Sequence, residues 1–259
     1  MNEAELLFSS IFNCNRLSLY LNKKSLLDKD NAGFVSSVLR RRINGEPIQY
    51  ILGKTEFMGF EFKVTPDVLI PRPETEILVE TALKYVSGRN ILDIGTGSGN
   101  IAISLAKLLQ NINITAIDIS EKAVEIALKN AKLNNVQGKI KFIKNDLFTC
   151  DVLGETCYDI IVSNPPYIPS KEIDKLQPEI KYEPRIALDG GLDGLDFYRC
   201  LIAGSIKYLK KGGLLILEMG FNQSEALKNI FQKFEDFEII EVVKDYNNIE
   251  RVIVARRKP

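Results

Sequence analysis

Not one histidine occurs among the 259 residues of this chain. That absence excludes Ser-His-Asp triads, Cys–His dyads and zinc sites with imidazole ligands, so any chemistry runs without a neutral-pH imidazole base. Net charge is missing too, because 34 Lys and Arg balance 34 Asp and Glu. A neutral chain argues against broad, non-specific nucleic-acid binding, which needs a basic surface to displace counterions. Cysteine is scarce: Cys14, Cys150, Cys157 and Cys200 show no C-x-x-C pairing and read as reduced packing thiols. The start, Met1-Asn2-Glu3-Ala4-Glu5, lacks the basic segment of a signal peptide. No run approaches the ~20 apolar residues of a membrane span. A cytoplasmic protein without a membrane partner is the expectation. What remains is 45% hydrophobic and 26% charged residues, the balance of a globular protein. The length suits one large domain, or a medium domain plus a small one.

Residues 1–45 read as helical. Phe34, Val35, Val38, Leu39 and Ile43 recur at helical spacing. Arg40, Arg41 and Arg42 suit a last turn, and Gly45 suits a terminator. So short a segment buries little surface alone, which predicts a helical mini-domain leaning on the rest of the chain. Residues 46–70 change period: Phe57, Phe60, Phe62 and Val64 around Gly59 predict a linking hairpin. From 71 to 259 the chain alternates strand and helix after an opening helix whose first turn holds Pro73, Glu74 and Glu76. Strands are predicted at 90–94, 112–118, 139–143, 158–163 and 213–218, with helices between them. That rhythm implies an α/β fold, a doubly wound parallel sheet with helices on both faces. The runs 237–243 and 251–255 leave no room for a crossover helix, so they form an antiparallel pair. The prediction is a mostly parallel sheet with one reversed strand near an edge.

Chemistry concentrates after the strands. Residues 164–167 read Asn-Pro-Pro-Tyr, behind the apolar run 158–163. Asn164 presents an amide oxygen as acceptor. Pro165 and Pro166 lack N–H groups and fix their own φ, so nearby carbonyls are held still and free to accept. Two preorganised acceptors beside the ring of Tyr167 suit a planar nitrogen carrying two hydrogens. The plainer reading is a proline-stiffened loop after a strand. Residues 91–99, Ile-Leu-Asp-Ile-Gly-Thr-Gly-Ser-Gly, place glycines at 95, 97 and 99 between a strand and a helix. Glycines let backbone approach a ligand closely, and open α/β sheets bind ligands at strand carboxyl ends. The dinucleotide fingerprint needs a glycine where Asn100 stands, and the Gly-Lys-Ser/Thr of a P-loop is absent. Asp118 ends the second strand, about 20 residues past the glycines, where a carboxylate takes ribose hydroxyls. It also reads as a helix-start carboxylate, with Ser120 the better cap. Asn145-Asp146-Leu147-Phe148 comes after the third strand.

The glycine loop resembles the first motif of the S-adenosylmethionine-dependent methyltransferases. The resemblance implies that Gly95, Thr96, Gly97, Ser98 and Gly99 wrap the methionine moiety with Asp93 near its ammonium. It implies further that Asp118 holds the ribose, that Asp146 or its neighbours meet the adenine amine, and that Leu147 and Phe148 offer apolar contact. Asn-Pro-Pro-Tyr resembles the signature of enzymes that methylate planar nitrogens. Within that group, 70–76 (Ile-Pro-Arg-Pro-Glu-Thr-Glu), Gly45-Glu46-Pro47 with Tyr50, 182–185 with 187–195, and Lys244-Asp245-Tyr246 with Glu250-Arg251 resemble the peptide chain release factor glutamine methyltransferases over essentially the whole chain. Many relatives carry an aromatic residue where Leu147 stands. The resemblance implies a class I methyltransferase fold with a small N-terminal helical recognition domain. It also implies methylation of the glutamine amide in the Gly-Gly-Gln loop of class 1 release factors. Asn164 and Pro165 would be catalytic, Pro166 would hold the loop, and Tyr167 would pack against the substrate, with no metal and a monomeric enzyme. The alternatives are a ribosomal-protein glutamine or a nucleic-acid base amine as substrate, or a non-enzymatic module that holds a translation factor. The neutral charge and the lack of a target-recognition domain speak against a nucleic-acid substrate.

Overall fold

The computed structural model describes residues 3–12, 14, 16–21, 29–86, 88–148 and 158–259. The chain opens with α1 (Glu3–Ile11), α2 (Arg16–Leu21) and α3 (Lys29–Ile43), then a single turn, α4 (Ile48–Leu52). Gly45 ends α3 as expected, at φ 89°, its N–H donating to the Arg42 carbonyl. The apolar face of α3 is narrower than its periodicity predicts. Val38 is buried with Leu7, Ile48 and Ile51, whereas Phe34, Leu39 and Ile43 are exposed. Residues 48–52 are helical, not extended, and Gly53 closes that turn in the left-handed region. The hairpin comes next as β1 (Lys54–Phe57) and β2 (Phe60–Lys63), turning through Met58 and Gly59, both at positive φ.

After α5 (Pro73–Tyr85) come β3 (Asn90–Ile94), α6 (Asn100–Leu108), β4 (Asn113–Asp118), α7 (Glu121–Leu133), β5 (Ile140–Lys144), β6 (Tyr158–Ser163) and the short α8 (Ser170–Ile173). The chain closes with α9 (Asp196–Tyr208), β7 (Leu209–Glu218), α10 (Ser224–Phe231), β8 (Phe237–Lys244) and β9 (Glu250–Arg257). The seven main strands lie in the order β5-β4-β3-β6-β7-β9-β8. All pair in parallel except β9, which runs antiparallel to both neighbours and sits one place in from the edge, as the sequence predicts.

Alternation along the strands divides the core. Ile91, Ile160 and Val162 face α5 and α6, while Leu92, Ile94 and Ile161 face α9 and α10. Successive strand residues point to opposite faces, so strands buried on both sides carry unbroken apolar runs. The hairpin joins the first of these layers through Phe57 and Phe62, both fully buried. The cysteines take their expected role only in part. Cys200 is exposed, Cys14 is half-buried, and Cys150 and Cys157 lie outside the described residues.

One buried amide ties the hairpin to the sheet. Asn130 of α7 accepts from the Lys63 N–H at 2.7 Å and donates to the Lys63 carbonyl at 3.0 Å and the Ser98 carbonyl at 2.8 Å. Buried backbone groups left unmatched cost about 1–3 kcal/mol each. Asn130→Ala is therefore expected to lower unfolding free energy by at least ~2 kcal/mol in urea titration.

Candidate active site

The carboxyl ends of β3, β4, β5 and β6 meet at a cavity of about 340 Å³. The turn after β3 is pinned to β4, because the N–H groups of Gly95 and Thr96 both donate to the Ile117 carbonyl at 2.9 Å. Gly95 and Gly97, at φ 72° and 55°, line the cavity, and a side chain on either would project into open space. Gly99 serves a different end. A Cβ there would lie 2.9 Å from Ile103 and 3.1 Å from Ala127, so this glycine lets α6 and α7 pack closely. Thr96 and Ser98 are buried behind the cavity wall.

Asp93 is buried there as well. Its Oδ2 accepts from the Thr96 hydroxyl at 2.6 Å, and its Oδ1 has no partner among the described residues. Burial pushes its carboxyl up to about 7, against the Thr96 bond. Asp93 is fully buried and is not among the residues that line the cavity. Asp118 links loop to strand: its Oδ2 accepts from Gly97 N–H at 2.8 Å and its Oδ1 from Ser120 N–H at 2.9 Å. Burial raises its pKa and the two N–H donors oppose the rise. The capping question resolves as the spacing favours, with the Ser120 hydroxyl oxygen accepting from Ala123 N–H. Asp118 is thereby left at the cavity wall.

After β5, Asp146 and Leu147 also line the cavity. The Asn145 side chain donates to the Leu147 carbonyl at 2.8 Å and braces a backbone at φ 45°. Phe148 departs from expectation. Its ring turns away to stack on Tyr208 at 5.2 Å and fills the space beside Gly204, so of the two only Leu147 lines the cavity.

At the end of β6, the Ser163 hydroxyl donates to the Ile94 carbonyl at 2.7 Å and fixes the strand end against β3. Asn164, Pro165 and Pro166 then line the cavity. The Asn164 Nδ2 donates to the Thr75 hydroxyl oxygen at 3.0 Å, and no described residue donates to its Oδ1. Tyr167 lies off the cavity. Its ring packs at Gly220, its carbonyl accepts from Gln223 Nε2 at 2.9 Å, and burial pushes its phenol upward. It braces the loop.

A strap unread from the sequence as a site covers this loop. Ile168 N–H donates to the Leu188 carbonyl and Gly190 N–H to the Ile168 carbonyl, at 3.0 and 2.9 Å. A Cβ on Gly190 would stand 2.7 Å from Tyr167 Cα. Upstream, Pro184, Ile186 and Ala187 form one wall of the cavity, and Asp67, Val68 and Leu69 of the linker form another. Arg72 pairs with the buried Glu183, binding the strap to the start of α5. The Gly-Gly pair at 190–191 was the available signal of close backbone approach, and residues 67–69 carry none. The cavity is thus mostly apolar with a few convergent polar groups, the usual make-up of a small-molecule site. Among the described residues no cluster of His, Cys, Asp or Glu could hold a metal.

Substitution separates the glycine roles. Gly99→Ala is expected to lower the thermal midpoint by several degrees through clash and strain at φ 83°. Gly97→Ala, at φ 55°, meets strain but no neighbour within 4 Å, so its loss of thermal midpoint should be the smaller of the two. For Asp93, a folded pKa raised to about 7 contributes stability in full below the unfolded value near 4 and loses it as pH rises toward 7. Asp93→Asn should flatten that part of the stability profile, between about pH 4 and 7, in urea titrations.

Residues 73–180 match the family described as Methyltransferase small domain, and residues 1–53 match the PrmC N-terminal domain. Among solved structures, a methyltransferase from Pyrococcus furiosus shares the fold at 18% identity and a TM-score of 0.60, over 90% of this chain and all of the other. The chain is 41% identical over 256 residues to a release factor glutamine methyltransferase of Geobacter sulfurreducens, covering 98% of this chain and 88% of that protein. It is 43% identical over 263 residues to the protein of the same name in Thermodesulfovibrio yellowstonii, covering 99% and 92%. With that identity running from the N-terminal helices through the reversed strand β9, this chain belongs to the release factor glutamine methyltransferase family.

Proposed function

We propose that this protein transfers a methyl group from S-adenosylmethionine to the side-chain amide nitrogen of the glutamine in the Gly-Gly-Gln loop of class 1 peptide chain release factors. The observation that carries the reading is Asn164, with its Nδ2 held by Thr75 and no described residue donating to its Oδ1, on the wall of the cavity that Gly95, Gly97 and Asp118 also line. Asp118 would hold the ribose hydroxyls, Asp146 and Leu147 would hold the adenine, and Gly95 and Gly97 would admit the methionine moiety, with the buried Asp93 as the anionic partner of its ammonium. When bound, S-adenosylmethionine supplies an electrophilic methyl carbon.

The chain's own contribution is orientation. An amide nitrogen is a poor nucleophile because its lone pair is shared with the carbonyl. Asn164 Oδ1 and the Pro165 carbonyl accept its two N–H groups, fix its direction and favour a pyramidal nitrogen. Pro166 keeps the loop in shape, and Tyr167 supports it from behind. The alkylated amide is strongly acidic, so its proton passes to water and no imidazole is needed. Residues 1–45 serve as the recognition unit for the release factor, 46–70 as linker and 71–259 as the catalytic domain. The enzyme acts as a cytoplasmic monomer on a protein, not on nucleic acid. Among the described residues no helix is long and apolar enough to cross a membrane.

A release factor incubated with labelled S-adenosylmethionine should gain one methyl group, and its loop glutamine→alanine form none. Label on the altered factor, or on RNA, would refute the assignment. Asn164→Ala should cut turnover by at least ~100-fold while S-adenosylhomocysteine affinity changes less than about threefold.

A further inference from the structure

The proposed reaction uses one face of the Asn164 amide, and nothing in it uses Glu218. Yet Glu218, the last residue of β7, is only 1% exposed, and its Oε2 has no partner among the described residues. A carboxylate placed so deep is costly unless something depends on it. The Thr75 hydroxyl, itself 1% exposed, stands beside that carboxyl and favours its ionised form. That same hydroxyl oxygen accepts from Asn164 Nδ2 at 3.0 Å. Three side chains from β7, α5 and the end of β6 thus stand in series, Glu218–Thr75–Asn164.

We propose that Glu218 is a positioning residue which, through the Thr75 hydroxyl, dictates which face of the Asn164 amide confronts the cavity. The inference rests on the reading of Asn164 Oδ1 as acceptor for the substrate amide. The reasoning is a count of protons. A carboxylate only accepts, a hydroxyl has one proton and free lone pairs, and an amide has a donating end and an accepting end. With Glu218 ionised, the one Thr75 proton goes to the carboxylate. Thr75 is then left to accept, so Asn164 must turn its NH₂ inward and its Oδ1 outward. With Glu218 protonated, the carboxyl donates to Thr75, and the Thr75 proton becomes available to Asn164 Oδ1. The amide is then free to reverse, and its NH₂ would meet the two N–H donors of the incoming substrate.

The groups facing Glu218 are mixed in sign. Arg251 of β9 and Arg72 ahead of α5 favour the carboxylate, Glu74 of α5 opposes it, and burial outweighs them all, pushing the carboxyl up to about 7. The Tyr167 phenol lies within its field, and the Tyr198 hydroxyl of α9 donates to the Glu218 backbone carbonyl at 3.0 Å. The ionised form therefore prevails only above neutrality, which makes the orientation of Asn164 sensitive to pH.

The test is turnover at saturating S-adenosylmethionine and release factor from pH 5.5 to 8.5. Wild type should lose turnover as pH falls through about 7. Glu218→Gln should lose that acid limb and turn over about tenfold more slowly at pH 8, because a glutamine amide satisfies Thr75 in either sense. Thr75→Val should cost about 100-fold, and Thr75→Ser should restore most of it. S-adenosylhomocysteine affinity, measured by calorimetry, should stay within about threefold in every variant, which also reports folding. If Glu218→Gln does not fold, the Thr75→Val and Thr75→Ser pair carries the test. An unchanged acid limb in Glu218→Gln, or full turnover in Thr75→Val, overturns the inference. Full turnover in Asn164→Ala overturns the acceptor reading beneath it. Loss in Asn164→Ala with normal Glu218→Gln and Thr75→Val sinks the positioning claim alone.

Discussion

The hydrogen bond from Asn164 Nδ2 to the Thr75 hydroxyl oxygen is the constraint on which the site depends. An amide is ambiguous by nature, a donor at one end and an acceptor at the other. Holding the donor end against the first turn of α5 turns the side chain into a one-sided acceptor. The surroundings then keep that acceptor in place. Ser163 locks the strand end to Ile94, two prolines stiffen the adjoining backbone, and Gln223 takes the Tyr167 carbonyl from behind. Little of this is energetically large. Each neutral bond contributes about 1 kcal/mol net, and the geometry comes from their number and their burial.

The opposite half of the cavity rests first on backbone donors. The Gly95–Gly99 turn hangs from the end of β4 by two N–H groups and from Asp118 by a third. Asn130 then carries that turn's Ser98 carbonyl together with the backbone N–H and carbonyl of Lys63. Hairpin, α7 and glycine turn are therefore fixed as one piece. The two halves of the site meet where β3 and β6 lie side by side, and the parallel pairing sets their spacing.

Much of this was legible in the sequence. Strand and helix periods gave the layer order, the missing crossover helix gave the reversed strand, and glycines or acids after successive strands located the cavity. The rest was hidden for definable reasons. A motif states which residues are near a site, not which way each one turns. Phe148 and Tyr167 both come after strand ends, and both bury their rings in adjoining packing because Gly204 and Gly220 leave room for them. Gly99 sits in the same repeat as Gly95 and Gly97 but answers to Ile103 and Ala127, contacts that only the folded chain creates. The wall from Pro184 to Ala187 and the pairing of Thr75 with Glu218 join segments far apart in the chain, and local pattern carries no record of such partners.

The fit at Gly190 reaches beyond the folded molecule. With 2.7 Å between an added Cβ and the Tyr167 Cα, the first side-chain atom meets backbone and no rotamer relieves the contact. Every single-base missense change in a glycine codon installs a side chain there, so only silent changes leave the position as it is. Two residues on, Leu192 is 82% exposed and meets no such limit. Mutational drift in this strap is thereby channelled to its crest, while its underside stays frozen.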